Sequence, residues 1–150
     1  MRLYVETNFL LEIALEQGEH AECSDLLDVC GDPSSGVTLA VPASSFFEAQ
    51  SALRNKRRHV LDFGRAYDTH VSGQLSRIHG IAGVRTSYAD LLAQLTATLN
   101  AAESRFYAAS DRIREIGEVL PTDGRTIAAA QDGSAGLSYE DALVYAARCV

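Results

Sequence analysis

Positive charge is scarce in this chain: 13 lysines and arginines stand against 20 aspartates and glutamates, a formal net charge of −7 over 150 residues. A general nucleic-acid coat protein is usually basic. That class is excluded, and any contact with a polyanion must be local or assisted by a metal ion. Cysteine is scarce as well. Cys23, Cys30 and Cys149 form no paired framework, and the placing of Cys23 and Cys30 within an apolar helical pattern marks them as core filling rather than metal or redox ligands. No apolar run approaches the roughly 18–20 residues that cross a bilayer, and the N-terminus shows no charged and apolar leader regions. A soluble, cytoplasmic protein without a membrane anchor is expected. A glycine-rich phosphate loop is missing, which speaks against a P-loop nucleotidase. The histidines (His20, His59, His70 and His79) lack the i, i+4 pairing of a metal-binding helix, which favours surface or polar-core roles. No repeat, low-complexity tract or linker interrupts the chain, so a single domain over residues 1–150 is expected.

What is present is an alternation of strand and helix patterns. "RLYVE" predicts a short apolar strand. "FLLEIAL" places Phe9, Leu10, Ile13 and Ala14 on one helix face, and "HAECSDLLDVC" repeats that spacing. "GDPSSG" is a turn cluster, and "VTLAVP" is a second, β-branched strand stopped by Pro42. A helix is predicted from about Ser44 toward Arg57. The stripe Val60, Gly64, Tyr67, Val71, Leu75, Ile78 predicts a further long helix, broken at "GIAG". Ser87 with Asp90 reads as a capping-box start for a helix carrying Leu91, Leu92, Leu95, Leu99 and Ala102 toward Gly117. "RTIAAAQ" predicts a short helix and "SYEDALVYAARCV" a last one. Apolar strands separated by helices point to an α/β fold, a parallel sheet flanked by helices with a helix-rich middle and few strands. Only two strands are convincing, a poorly supported parallel sheet, so the natural polypeptide is expected to continue past Val150. The long stripes in the middle are helix-packing faces that can extend into a homodimer interface.

Carboxylates occur where strands end and helices begin, the edge at which open parallel sheets place their chemistry. Glu6 ends the first strand, Glu48 lies on the first turns of the helix after the second, and Asp141 opens the final helix. Three clustered carboxylates repel unless a cation joins them. Mg²⁺ or Mn²⁺, both hard and oxygen-seeking, suits such a set and would serve phosphodiester hydrolysis by activating water and offsetting charge. A competing reading stands for two of the three: "SFFE" (Ser45 to Glu48) and "SYED" (Ser138 to Asp141) both fit capping boxes. For Glu6 the alternative is an ion pair at the sheet rim. Glu140 lies about 100° around the helix from Asp141, and Asp141 shares its face with Val144, Tyr145 and Arg148. "RNKRRH" supplies the basic cluster Arg54, Lys56, Arg57 and Arg58. It can grip a phosphate backbone or place cations at a helix C-terminus.

"LYVETNFLLE", "VTLAVPASSFFEAQSAL" and "LSYEDALVYAA", in that order, resemble the PIN-domain ribonucleases. The resemblance covers roughly residues 2–53 and 137–148. It implies a PIN-like fold and a metal-dependent endoribonuclease acting on RNA, with Glu6, Glu48 and Asp141 as metal ligands for Mg²⁺ or Mn²⁺. Thr7 and Asn8 match the small polar pair supporting the first carboxylate. For the toxin branch of the family it implies an antitoxin protein partner. This sequence differs from the family in three ways: Glu6 stands where Asp is usual, the interval between Glu48 and Asp141 is long, and no fourth acid with its C-terminal strand follows Asp141. The first and third favour an alternative, a non-catalytic PIN-like scaffold that binds a protein or RNA partner.

Overall fold

The computed structural model describes residues 1–74 and 81–122, with 125 and 128. Its elements are β1 (Arg2–Tyr4), α1 (Thr7–Leu15), α2 (His20–Gly31), a 3-10 turn (Pro33–Ser35), β2 (Thr38–Pro42), α3 (Ala43–Gln74), α4 (Ile81–Ile116) and β3 (Glu118–Leu120). The strands form one parallel sheet in the order β1-β2-β3. Helices make up most of the described residues, and the architecture is α/β. Among them, no helix is long and apolar enough to cross a membrane.

The apolar spacing of the sequence accounts for this arrangement. In β2, successive side chains alternate between the two faces. Leu39 and Val41, fully buried, join a core with Leu10 and Ala14 of α1, Leu27 and Cys30 of α2, Ala49 and Leu53 of α3, and Phe106 and Ile113 of α4. Ala40 points the other way and packs with Leu120 and Tyr4. Burial on both faces explains why β2 has no polar residue between Leu39 and Pro42. Between α2 and β2, the turn is held by Asp32, whose Oδ1 accepts from the Ser34 amide and whose Oδ2 accepts from the Ser34 hydroxyl, both at 2.8 Å. Those bonds hold the Asp32 carboxyl below its ordinary pKa. Gly36, with φ at +64°, closes the turn in a conformation that side chains rarely adopt. Arg105 of α4 joins the far end of α1: its Nε donates to the Ala14 carbonyl at 3.0 Å, and its guanidinium pairs with Glu16 at 3.2 Å.

Several expectations need correcting. A third strand exists, β3, in the stretch "GEVLP", to which the sequence pattern assigned no strand. The helix expected to end near Arg57 and the separate stripe from Val60 form one continuous helix of 32 residues. Its partner starts at Ile81, before the Ser87–Asp90 capping box, which therefore lies inside a helix and starts nothing. Ile81, Ala82 and Gly83 of the expected break "GIAG" lie within α4. The final helix "SYEDALVYAARCV" lies outside the described residues.

Two glycines test the packing. A Cβ on Gly117, at the entry to β3, would lie 2.9 Å from the Ile113 carbonyl oxygen and 3.0 Å from that of Leu39. Both obstacles are backbone. A Cβ on Gly31 would meet only the tip of the Arg112 side chain, at 2.5 Å. Gly117→Ala is expected to lower stability in urea by about 1–3 kcal/mol, while Gly31→Ala, which asks only for a guanidinium to swing away, stays within about 0.5 kcal/mol of the parent. Equal stability of the two variants would contradict the close approach at Gly117.

Candidate functional site

Parallel register decides where the strands deliver their chains. Tyr4 lies beside Ala40, and Pro42 beside Leu120, so the residues following β1, β2 and β3 all emerge at the same carboxyl edge. After β1, Val5 remains tied to the sheet through its amide, which donates to the Ala40 carbonyl at 3.1 Å. Glu6 then takes the N-cap position of α1 in extended backbone, with φ −122° and ψ −173°. Its carbonyl accepts from the Phe9 amide at 3.0 Å, but its carboxylate makes no capping bond to α1. Glu6 is exposed at the sheet edge.

Glu48 arrives from the second strand. No loop separates β2 from α3, so Glu48 sits on the second turn of a helix that starts at the sheet edge. There the hydroxyl of Thr7 donates to Glu48 Oε2 at 2.5 Å, joining residues 41 apart in sequence. This bond, with the placing of Ser45, speaks against the capping-box reading of "SFFE". Because α3 starts at Ala43, Ser45 lies inside the helix and cannot be its N-cap. The Ser45 hydroxyl is buried and makes no hydrogen bond, so no capping box forms with Glu48. Glu48 turns instead toward the start of α1. Asn8 is exposed on the first turn of the same helix.

The structure therefore brings Glu48 against Thr7, the residue next to Glu6. Asp141 lies outside the described residues. Among the described residues, no group of three or more histidines, cysteines, aspartates or glutamates is placed to hold a metal ion. Glu6, Thr7 and Glu48 supply only oxygen donors, and the Thr7 bond occupies one oxygen of the Glu48 carboxylate, leaving Oε1 for another partner.

The basic cluster is corrected in position. Since α3 runs on to Gln74, residues 54–58 lie in mid-helix and not at a C-terminus. Arg57 faces α4 and pairs with Glu103 at 2.8 Å. Arg54, Lys56 and Arg58 are exposed, and no ion pair among the described residues engages them. Of the cysteines, Cys30 is buried in the core and Cys23 is half-buried. Burial pushes both thiols up, and Glu12, Glu19 and Glu22 push Cys23 further in the same direction. His20 lies exposed with Nδ1 2.8 Å from the Gln17 carbonyl.

A feature that sequence reasoning missed lies across α3 from Glu48. A cleft of about 270 Å³ opens between the first turns of α3 and the last turns of α4, lined by Phe46, Phe47, Gln50, Tyr107, Arg114 and Val119. Its signal in the sequence was Phe47, an aromatic residue on the same helix face as Ser51, Arg54 and Arg58, at steps of four, three and four. A second cavity, of about 380 Å³, lies beside Thr38 and the Asp32 turn, near the start of β2 and away from the carboxylates.

No family model, curated protein or solved structure matches the chain.

The Thr7–Glu48 contact can be isolated by a double-mutant cycle with Thr7→Val and Glu48→Ala, each of which removes one partner of the bond, read by urea unfolding. A coupling of about 1 kcal/mol is expected for a half-buried hydroxyl–carboxylate bond. Strictly additive effects would mean that the two side chains do not meet in solution.

Proposed function

We propose that the chain is a PIN-like, divalent-metal-dependent endoribonuclease that hydrolyses phosphodiesters of single-stranded or structured RNA. The observation that carries this reading is the Thr7–Glu48 hydrogen bond at the sheet's carboxyl edge, one residue from Glu6. It supports the convergence of carboxylates that the sequence pattern implies. Glu6, Glu48 and Asp141 would hold Mg²⁺ or Mn²⁺. The donors fit such an ion: carboxylate and hydroxyl oxygens are hard ligands, and among the described residues only Oε2 of Glu48 is engaged, by Thr7. When bound, the ion supplies Lewis-acid chemistry, activating water and offsetting charge on the phosphodiester.

The protein's own groups have separate tasks. Thr7 holds the Glu48 carboxylate in one orientation, so that less conformational freedom is lost when a ligand arrives. Asn8 lies beside it on the first turn of α1 and supports Glu6. Arg54, Lys56 and Arg58 provide local positive charge on an acidic protein, drawing the RNA backbone by counterion release. Arg57, held by Glu103, contributes less to that field. By resemblance alone, an antitoxin would cover the site; the long helix-packing stripes would supply a homodimer interface.

A second reading rests on one residue. Glu6 stands where the resembling family usually has Asp, and its additional methylene moves the carboxylate outward by about 1.5 Å. A non-catalytic scaffold that binds a protein or RNA partner accommodates that change without a metal.

Calorimetric titration with Mn²⁺ separates the two readings. The parent protein is expected to give a binding isotherm that Glu48→Gln loses, and RNA cleavage is expected to vanish both in EDTA and in Asp141→Asn. Identical heats in the parent and Glu48→Gln would remove the enzyme reading.

A further inference from the structure

We propose that the cleft between α3 and α4 is a nucleobase subsite, in which an unpaired RNA base is received between Phe47 and Tyr107 while Arg54 and Arg58 hold the adjoining backbone. The choice of RNA as occupant rests on the ribonuclease reading. The subsite itself rests on four observations.

The first is aromatic exposure. Phe47 is 73% exposed and Tyr107 52%, and because both line one cleft they form a shared aromatic surface that a flat partner can cover. The second is the cavity, about 270 Å³, with both rings in its lining. Third, the cleft carries polar groups suited to a base edge. Gln50 donates through Nε2 to the Tyr107 hydroxyl at 3.0 Å, which fixes the amide and leaves its oxygen and one N–H unused. Arg114 lies over the Phe46 ring at 5.7 Å and pairs with Asp111 at 2.7 Å, so its side chain is positioned as a wall of the cleft. Fourth, charge complementarity selects a polyanion. Phe47, Ser51, Arg54 and Arg58 share one exposed face of α3, and neither arginine has an ion-pair partner among the described residues. In a protein of net charge −7, unpaired cations in line with an exposed aromatic ring match the pattern by which single strands are bound: stacking for bases, positive charge for phosphates.

The geometry also relates the cleft to the carboxylates. Phe47 precedes Glu48 directly, and consecutive residues on a helix diverge by about 100°. A strand crossing the first turns of α3 can thus place a base against Phe47 and a neighbouring phosphate toward the Glu48 side. A duplex cannot do so, because its bases are already stacked and paired.

The test uses fluorescence anisotropy of a short, 5′-labelled, unpaired RNA with the full chain in EDTA, where no cleavage intervenes. Phe47→Ala and Tyr107→Ala are each expected to weaken binding roughly 5- to 150-fold, the range found when one stacking ring is removed. Arg54→Ala and Arg58→Ala should weaken it as well, each lowering the dependence on salt by about one counterion. Tyr107→Phe, which keeps the ring and loses only the bond to Gln50, should bind close to the parent. A fully paired RNA should fail to compete. Because Phe47 and Tyr107 are exposed, their loss leaves the core intact, and circular dichroism confirms folding of each variant.

Parent-like affinity in both Phe47→Ala and Tyr107→Ala overturns the proposal, as does equal competition by the duplex or no binding by the parent. Unchanged RNA binding together with Phe47→Ala dissociating a dimer in sedimentation would also overturn it, by showing that the face is a protein interface. The ribonuclease reading fails separately: RNA bound in this ring-dependent way but never cut with Mn²⁺ would sink the enzyme and leave the subsite standing.

Discussion

The parallel pairing of β2 with β1 and β3 is the constraint on which the arrangement at the carboxyl edge depends. Parallel strands deliver the following residues to one edge, whatever their separation along the chain. Here the register sets Tyr4 beside Ala40 and Pro42 beside Leu120, so α1 and α3 start side by side. Their proximity lets the Thr7 hydroxyl reach Glu48. An antiparallel β1 would send Glu6 and Thr7 to the opposite edge, and the carboxylates would share nothing. The apolar character of β2 is what secures the pairing. Leu39 and Val41 share one core with residues of α1, α2, α3 and α4, and Ala40 seals the reverse face with Leu120 and Tyr4.

The helical hairpin serves a different end. α3 and α4, of 32 and 36 residues, are each about 50 Å long at 1.5 Å per residue. Along their shared seam, Arg57 pairs with Glu103, Gly64 admits the Leu92 side chain, and Tyr67 stacks on Tyr88 at 3.6 Å between ring centroids. Desolvation, aided by Asp68 and Tyr67, raises the Tyr88 pKa. The seam thus consumes one cation of the basic cluster and leaves the other three on the outer faces. A protein acidic overall acquires a local basic surface in this way, because pairing across the hairpin chooses which charges remain available.

Much of the fold was legible in the sequence where two signals agreed. For β1, α1, α2 and β2, apolar periodicity and the "GDPSSG" turn point the same way, and the elements fall within a residue or two of expectation. Legibility failed where a local signal was overruled from outside the segment. Ser87 and Asp90 satisfy a capping-box pattern, yet α4 is already under way from Ile81. Ser45 and Glu48 satisfy it too, but β2 passes straight into α3 and leaves Ser45 inside the helix, its hydroxyl unpartnered. β3 has only Glu118, Val119 and Leu120, too few residues to show alternation, and its identity comes from hydrogen bonds to β2. Arg54 to Arg58 resembled a helix end because a cationic run commonly marks one, whereas the apolar stripe of α3 continues through Gly64 and Tyr67.

The candidate site divides along the same line. Glu6 and Glu48 could be named from the order of strand, acid and helix, Thr7 only through the family resemblance, and the structure joins Thr7 to Glu48. The α3–α4 cleft could not be named, since Tyr107 and Arg114 come from a helix whose register against α3 no local pattern discloses. The central claim is that side chains from two strand ends form one oxygen-lined site for a divalent ion. Anomalous diffraction at the manganese edge, from crystals of the full chain grown with Mn²⁺, tests it most directly. The account predicts a peak within coordination distance of the Glu6 and Glu48 carboxylates. A peak elsewhere with that edge empty, or the two carboxylates held too far apart to share an ion, would contradict it.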